Sequence, residues 1–96
     1  MVATIIPIDI EFDGTKEKAN LAKHGISLGF AEILLSGPHL AVLDDRFAYG
    51  EERWQATGEI AGRLFVCVYT VHHDAYRIIS LRKANWREVN AYRQSL

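Results

Sequence analysis

The densest group of chemically useful side chains lies in a stretch that predicts a helix, residues 16–24. Lys16, Asn20 and Lys23 have the spacing i, i+4 and i+7, which places them on one helical face, and His24 follows directly. Two cations, an amide and an imidazole on one face could bind and orient a phosphodiester. The same residues also fit an ordinary solvated face, in which the helix dipole favours His24 at the C-terminal end.

A second candidate site lies in a charge cluster between residues 44 and 53. Glu51 or Glu52 could act as a general base. Arg46 or Arg53 could stabilise the negative charge that a phosphate gains as it becomes pentavalent. The alternative interpretation is a network of acid–base pairs that holds a long loop in place.

The last predicted strand carries a third group of basic side chains. Side chains alternate along a strand, so Ser80 and Arg82 are expected on one face. Arg77 and Lys83 are then expected on the other face. Arginine suits phosphate because its planar guanidinium donates two parallel hydrogen bonds and stays charged. Pairing of both arginines with acids of the 44–53 cluster is the alternative.

Histidine and aspartate side chains leave a metal-dependent reaction as an alternative. The sequence has no HExxH motif or comparable ligand spacing. Residues able to bind a metal nevertheless occur at His39, Asp44, Asp45, His72, His73 and Asp74. The single cysteine, Cys67, lies among apolar strand residues and is interpreted as a buried small hydrophobe. One cysteine cannot form an internal disulfide, which fits a reducing compartment.

Length and composition define the class of protein. The chain has 96 residues, 49% hydrophobic and 24% charged, which predicts one folded domain over residues 1–96. No apolar run approaches the ~20 residues that span a bilayer. The N-terminus has neither the basic opening nor the apolar stretch of a signal peptide. We therefore expect a cytoplasmic protein without membrane contact.

The net charge of −1 does not mark a nucleic-acid-binding protein, but the charge is unevenly distributed. From Arg77 onwards there are five basic residues and one acid, a balance of +4, which leaves −5 for residues 1–76. A basic region on an acidic body can place positive potential on one face. An ordinary mixed-charge surface is the alternative.

The elements that position the first group follow from periodicity and capping residues. Residues 5–12 nearly alternate apolar and polar side chains and predict a strand, and Pro7 favours an edge or the strand start. Asp13 is a suitable cap for a helix over residues 16–24. Gly25 can end that helix in a left-handed conformation.

The rest of the chain predicts a second helix, four strands and a final helix. Ser27 can cap the second helix, which stops at the Gly37-Pro38 pair. Asn85 and Glu88 have the spacing of a capping box for the last helix. Short turns between the strands predict an antiparallel meander. The predicted architecture is α+β, an antiparallel sheet with two N-terminal helices and a C-terminal helix in the order β-α-α-β-β-β-β-α. The four later strands are predicted over residues 39–43, 53–60, 64–71 and 76–81.

Three segments in this order and spacing resemble the BrnT toxin family. They are FDGTKEKANLAKHGIS (residues 12–27), DDRFAYGEERW (residues 44–54) and RIISLRKANWREVNAY (residues 77–92). The resemblance implies a RelE-like fold and an endoribonuclease that cleaves messenger RNA and inhibits translation, without a metal or other cofactor. It also implies a tight complex with a BrnA-type antitoxin. The ribbon-helix-helix part of that antitoxin would bind operator DNA, which this chain would meet only through its partner.

The resemblance also carries candidate residues onto matching positions. The candidate catalytic residues are Lys23, His24, Glu52, Arg53, Ser80 and Arg82. Arg46 of the middle segment is a candidate for RNA binding, and so are the basic residues Lys16, Arg77 and Lys83.

Our hypothesis from the sequence is attack of a neighbouring 2′-OH on the phosphate. Glu52 or His24 would accept the proton. Arg53 and Arg82 would balance the phosphate charge, and Lys23 would position the backbone. One alternative is a non-catalytic module that only binds its antitoxin. Another is a metal-dependent nuclease that loses its activity in EDTA.

Overall fold

The computed structural model of the chain describes residues 8–44 and 50–96. Part of the first predicted strand, residues 5–7, lies outside these ranges, and so do Asp45 and Arg46. The fold is α+β, as predicted. Its elements are β1 (Ile10–Glu11), α1 (Gly14–His24), a 3₁₀ helix (Leu28–Phe30), α2 (Ala31–Ser36), β2 (His39–Asp44), β3 (Arg53–Ile60), β4 (Arg63–His72), β5 (Ala75–Lys83) and α3 (Trp86–Gln94).

The five strands form one sheet in the order β1-β5-β4-β3-β2. Strands β2 to β5 are an antiparallel meander, which confirms the prediction from the short turns. The expectation of an entirely antiparallel sheet is wrong at β1, which pairs in parallel with β5. Helices α1 and α2 and strands β2 to β4 lie between β1 and β5 in sequence, and β1 joins the sheet at the edge of β5 that does not pair with β4.

Side-chain caps explain where the helices begin. Asp13 accepts a hydrogen bond from the backbone N–H of Lys16 at 2.7 Å, and Gly25 ends α1 at φ 70°, both as predicted. Ser27 caps a 3₁₀ helix before α2, a turn that the sequence pattern did not predict. The capping box of α3 is confirmed, since Asn85 and Glu88 each accept the other's backbone N–H at 2.9 Å.

The main core lies between the sheet and the N-terminal helices. Leu28 and Leu34 pack there on alternate residues of the strands, among them Ala56, Cys67 and Leu81. Burial of Cys67 confirms its interpretation as a small hydrophobe and raises the pKa of its thiol to about 12. No helix within the described residues is long and apolar enough to span a membrane.

The opposite face of the sheet is covered at one end by α3. Tyr92 of α3 is buried, and so is Val66 of β4 on this face. The β3–β4 end of the sheet and α3 border a cleft of about 370 Å³, lined among others by Glu59, Leu64 and Tyr92. The other end of this face carries the polar residues described next.

Candidate active site

Five polar residues, one from each strand, form a row across the sheet face opposite α1 and α2: Glu11, Arg77, Thr70, Arg53 and Asp44. Glu11 pairs with Arg77, Arg77 with Thr70, and Arg53 with Asp44. Arg53 stands one position beyond the last register pair of β3 and β4, next to Thr70. The row therefore places a hydroxyl between two guanidinium groups, with a carboxylate beyond each.

A β-bulge in β5 creates this row. Val68 pairs with Ser80 and Tyr69 pairs with Ile78, so Ile79 is an extra residue on β5. The extra residue shifts the alternation of side chains by one position. Arg77 consequently lies on the same face as Ser80 and Arg82, and its predicted placement on the opposite face is wrong. Lys83 pairs with Phe65 of the main core and stays on the helix-covered side.

Four residues of the row, Glu11, Arg77, Thr70 and Arg53, line a cleft of about 440 Å³. Phe12, Asp13 and Lys16, from the start of α1 and the residues before it, also line this cleft. Residues that line the cleft include Glu11, Lys16, Glu51, Arg53, Thr70 and Arg77. Three predicted site residues, Lys16, Arg53 and Arg77, thus meet in one cleft although they come from α1, β3 and β5.

Carboxylates lie beside the cleft cations Arg77 and Lys16. Arg77 Nε lies 3.1 Å from Glu11 Oε1, and its Nη2 lies 3.1 Å from His72 Nδ1. Lys16 Nζ lies 3.7 Å from Asp13 Oδ2. The backbone N–H of Lys16 lowers the pKa of the Asp13 carboxyl by donating to it. Such exposed pairs contribute little stability, so an incoming anion can compete for the cations.

Thr70 is the most deeply buried member of the row. Its side chain is 1% exposed, and its hydroxyl has no hydrogen-bond partner among the residues that the structure describes. A buried hydroxyl without a partner is unfavourable by about 1–3 kcal/mol, because it gives up water and gains nothing. Most native structures contain few such groups.

A second group of predicted residues, which we call the helix-end group, lies beyond the cleft at the end of α1: Lys23, His24 and Arg82. Partial burial lowers the pKa of His24, and the positive charges of Lys23 and Arg82 lower it further. His24 is therefore mainly neutral at pH 7 and able to accept a proton.

Arg82 is held by α3. Its Nη1 and Nη2 donate to the two carboxylate oxygens of Glu88 at 2.7 and 2.9 Å. The same Glu88 carboxylate caps α3. Arg82 thus joins the end of β5 to the start of α3, a structural role that the sequence pattern did not predict. The partner acids of Arg77 and Arg82 named here come from β1 and α3, not from the 44–53 cluster.

A family model described as the ribonuclease toxin BrnT of type II toxin–antitoxin systems matches residues 12–88. The chain belongs to this BrnT family. Membership implies a ribonuclease toxin and a protein antitoxin as its partner. A search of curated proteins finds no match.

The remaining predicted residues of this BrnT-family chain are more scattered. Glu52 is exposed and is not among the residues that line the cleft, whereas Glu51 is. Ser80 is half-buried on β5 opposite Val68. Arg46 lies outside the described residues. Thr70 was not predicted as a site residue. The sequence signal that could have indicated it is a hydroxyl residue within an apolar strand, with its side chain on the same face of the sheet as Arg53.

Asn20 does not belong to a substrate-facing stripe with Lys16 and Lys23. It is 4% exposed and bonds to the backbone of β5. The two lysines flank it on the exposed part of α1. Within the described residues, no three histidine, cysteine, aspartate or glutamate side chains form a group that could hold a metal ion.

Proposed function

We propose that this chain is the toxin of a type II toxin–antitoxin pair and an endoribonuclease that cleaves RNA at the 440 Å³ cleft. The observation that carries this proposal is the meeting of Lys16, Arg53 and Arg77 in that cleft beside Glu51. These cations come from three separate elements, α1, β3 and β5, and each suits a phosphate. Membership of the BrnT family supports the same reaction class.

Arg53 and Arg77 are proposed to bind the phosphate that is cleaved. Each guanidinium can donate two parallel hydrogen bonds to phosphate oxygens. Their charges oppose the negative charge that develops on the pentavalent phosphate, an effect typically worth about 10²–10³-fold in rate per donor. Lys16, which now faces Asp13, would turn to the phosphate once an anion occupies the cleft.

Glu51 is proposed as the general base, in place of Glu52 or His24, because it alone of the three lines the cleft. The O2′–H proton passes to the Glu51 carboxylate while O2′ bonds to phosphorus. The bond from phosphorus to the 5′-oxygen then breaks, and that oxygen takes a proton from Lys16 or water. The products are a 2′,3′-cyclic phosphate and a 5′-hydroxyl, and no metal or cofactor enters this scheme.

The helix-end group is proposed to bind RNA beside the cleft. Lys16 and Lys23 are seven residues apart on α1, which is about 10.5 Å along the helix axis. A strand bound at Lys16 would therefore continue towards Lys23 and His24. Ser80 lies between the two groups along β5, whereas Arg82, held by Glu88, is assigned mainly to the structure of the site.

The partner is proposed to be a BrnA-type antitoxin that neutralises the toxin and binds operator DNA through a ribbon-helix-helix part. The proposal also keeps the RelE-like fold, the single domain over residues 1–96 and a cytoplasmic location as expectations. Family membership supports a protein antitoxin, and copurification with the product of a neighbouring gene would test its type.

The test is cleavage of a single-stranded RNA by the purified chain, with and without EDTA. Arg53→Gln and Arg77→Gln should each reduce the rate by about 10²-fold or more. Arg63→Gln is the matched control, because Arg63 is exposed and lines the other cleft, next to α3. Glu51→Gln should reduce the rate far more than Glu52→Gln. Wild-type rates in both arginine variants would contradict the proposed site, and a loss of cleavage in EDTA would support a metal-dependent reaction.

A non-catalytic module that only binds its antitoxin is the second candidate. The carboxylates facing Lys16 and Arg77 favour it, since they neutralise cations that an RNA enzyme would use. A folded chain that binds the antitoxin but cleaves no RNA, and stops no growth when expressed alone, would establish this alternative.

A further inference from the structure

The buried hydroxyl of Thr70 is a polar group that the fold itself does not use. It has no hydrogen-bond partner within residues 8–44 and 50–96, and its side chain is 1% exposed. Valine has the same shape and the same β-branched preference for strands. Packing alone therefore does not require a hydroxyl at this position.

The surroundings of Thr70 point to an anion. Arg77 is its register partner on β5, and Arg53 stands beside it on β3. Thr70 also lines the cleft that Lys16 borders from α1. Three cations thus lie around one hydrogen-bond donor, an arrangement suited to a tetrahedral oxyanion with several acceptor oxygens.

We propose that Thr70 is a phosphate ligand: its hydroxyl donates to a non-bridging oxygen of a phosphoryl group bound between Arg53 and Arg77. The inference rests on the proposed function for the source of that group, a phosphodiester of RNA. The ligand chemistry itself is that of any phosphoryl oxyanion.

Binding requires a local rearrangement, because the Thr70 hydroxyl is buried. Arg77 is able to move, since its side chain is 46% exposed and is held by Glu11 and His72 at the surface. When the Arg77 guanidinium leaves Glu11 and binds a phosphate, the Thr70 hydroxyl becomes accessible from the cleft. The Arg77–Glu11 ion pair therefore shields the Thr70 hydroxyl until an anion displaces Glu11.

Thr70→Val gives a test with two readouts that should change in opposite directions. The variant should be more stable, with Tm raised by about 4 °C or more, because a buried unpaired hydroxyl is removed. It should also bind phosphate more weakly, by about 10–100-fold, since a hydrogen bond to a charged group is lost. A threonine with no role in binding would give the gain in Tm without the loss of phosphate binding.

The probes are inorganic phosphate and a single-stranded RNA with 2′-O-methyl riboses, which cannot react through its 2′-oxygen. Thr70→Ser keeps a hydroxyl and should retain most of the affinity for both. Thr57→Val is the matched control, because Thr57 is a buried threonine on the same sheet face and is not among the residues that line the cleft. Its affinity should equal that of the wild type.

Unchanged phosphate and RNA affinity in Thr70→Val would overturn the inference, and so would a fall in its Tm. If Thr70→Val cleaves RNA at the wild-type rate, Thr70 is not a phosphate ligand, but the proposed ribonuclease function still holds. Phosphate binding that depends on Thr70, in a chain that cleaves no RNA, would leave the oxyanion site and contradict the proposed ribonuclease. The two proposals therefore fail separately.

Discussion

The side chain of Asn20 pairs with the backbone of Leu81 as a neighbouring strand would. Asn20 Nδ2 donates to Leu81 O at 2.9 Å, and Leu81 N donates to Asn20 Oδ1 at 3.1 Å. The same Nδ2 donates to Ile26 O at 2.9 Å. Among the described residues, strand β1 pairs with β5 at Tyr76 and Arg77, and the Asn20 amide satisfies the edge of β5 farther along. It also fixes α1, and with it Lys16, against the strand that carries Arg77.

Asn20→Ala is expected to lower the free energy of unfolding by about 2–4 kcal/mol, because it leaves the buried backbone groups of Leu81 and the partly buried carbonyl of Ile26 without partners. Urea denaturation measures this change. The exposed Asn90 of α3 gives the control variant Asn90→Ala, which should change stability by less than about 0.5 kcal/mol. A small effect at Asn20 would show that water replaces the amide and that the pairing is not needed to hold α1.

The Arg82–Glu88 pair is expected to stabilise the junction of β5 and α3. Both side chains are partly buried, at 32% and 20% exposure, and the pair is bidentate. Arg82→Gln and Glu88→Gln should each reduce stability by about 1–2 kcal/mol. The double variant should show a coupling energy of about 0.5–3 kcal/mol in a double-mutant cycle.

The same variants separate structure from catalysis at Arg82. If Arg82 only holds α3, Glu88→Gln should impair RNA cleavage as much as Arg82→Gln does. If Arg82 contacts the phosphate, as the sequence predicted, Arg82→Gln should reduce the rate far more than Glu88→Gln at equal folded fraction.

Local signals explain the parts of the fold that were predictable. The caps of α1 and α3 depend on neighbours within a few residues, and both lie where the sequence predicts them. Alternation of side chains likewise predicted β3 with its observed bounds, Arg53–Ile60.

Non-local contacts explain the parts that were not predictable. The parallel pairing of β1 joins residues 66 positions apart, and the Asn20–Leu81 bonds join residues 61 apart. The bulge at Ile79 shows no local signature, yet it decides which face Arg77 occupies. The candidate site could therefore be predicted as a set of basic residues, but not as the cleft in which Lys16, Arg53 and Arg77 meet.

The titration of His24 provides a pH test of the helix-end group. Its pKa is lowered by partial burial and by the charges of Lys23 and Arg82, so an NMR titration should place it below 6.5. Because the folded pKa is below the unfolded value, the neutral ring contributes stability above about pH 6.5. That contribution falls as the pH drops through the unfolded pKa towards the folded one.

Lys23→Gln should raise the pKa of His24, because one of the nearby positive charges is removed. Lys18→Gln provides the control, since Lys18 is exposed on α1 and does not contribute to the shift. An unperturbed His24 in the wild type would contradict the proximity of the three side chains.

The salt dependence of RNA binding tests whether Arg77 contacts phosphate. Each phosphate contact to a single strand releases counterions and adds about 0.7 to the slope of log affinity against log salt concentration. Arg77→Gln should therefore lower the slope by about 0.7 and weaken binding uniformly across RNA sequences, as expected for a backbone contact. Arg63→Gln, an exposed substitution at the start of β4, should leave the slope unchanged. If both variants lowered the slope equally, the positive charge of the whole chain, and not a phosphate contact in the cleft, would explain the binding.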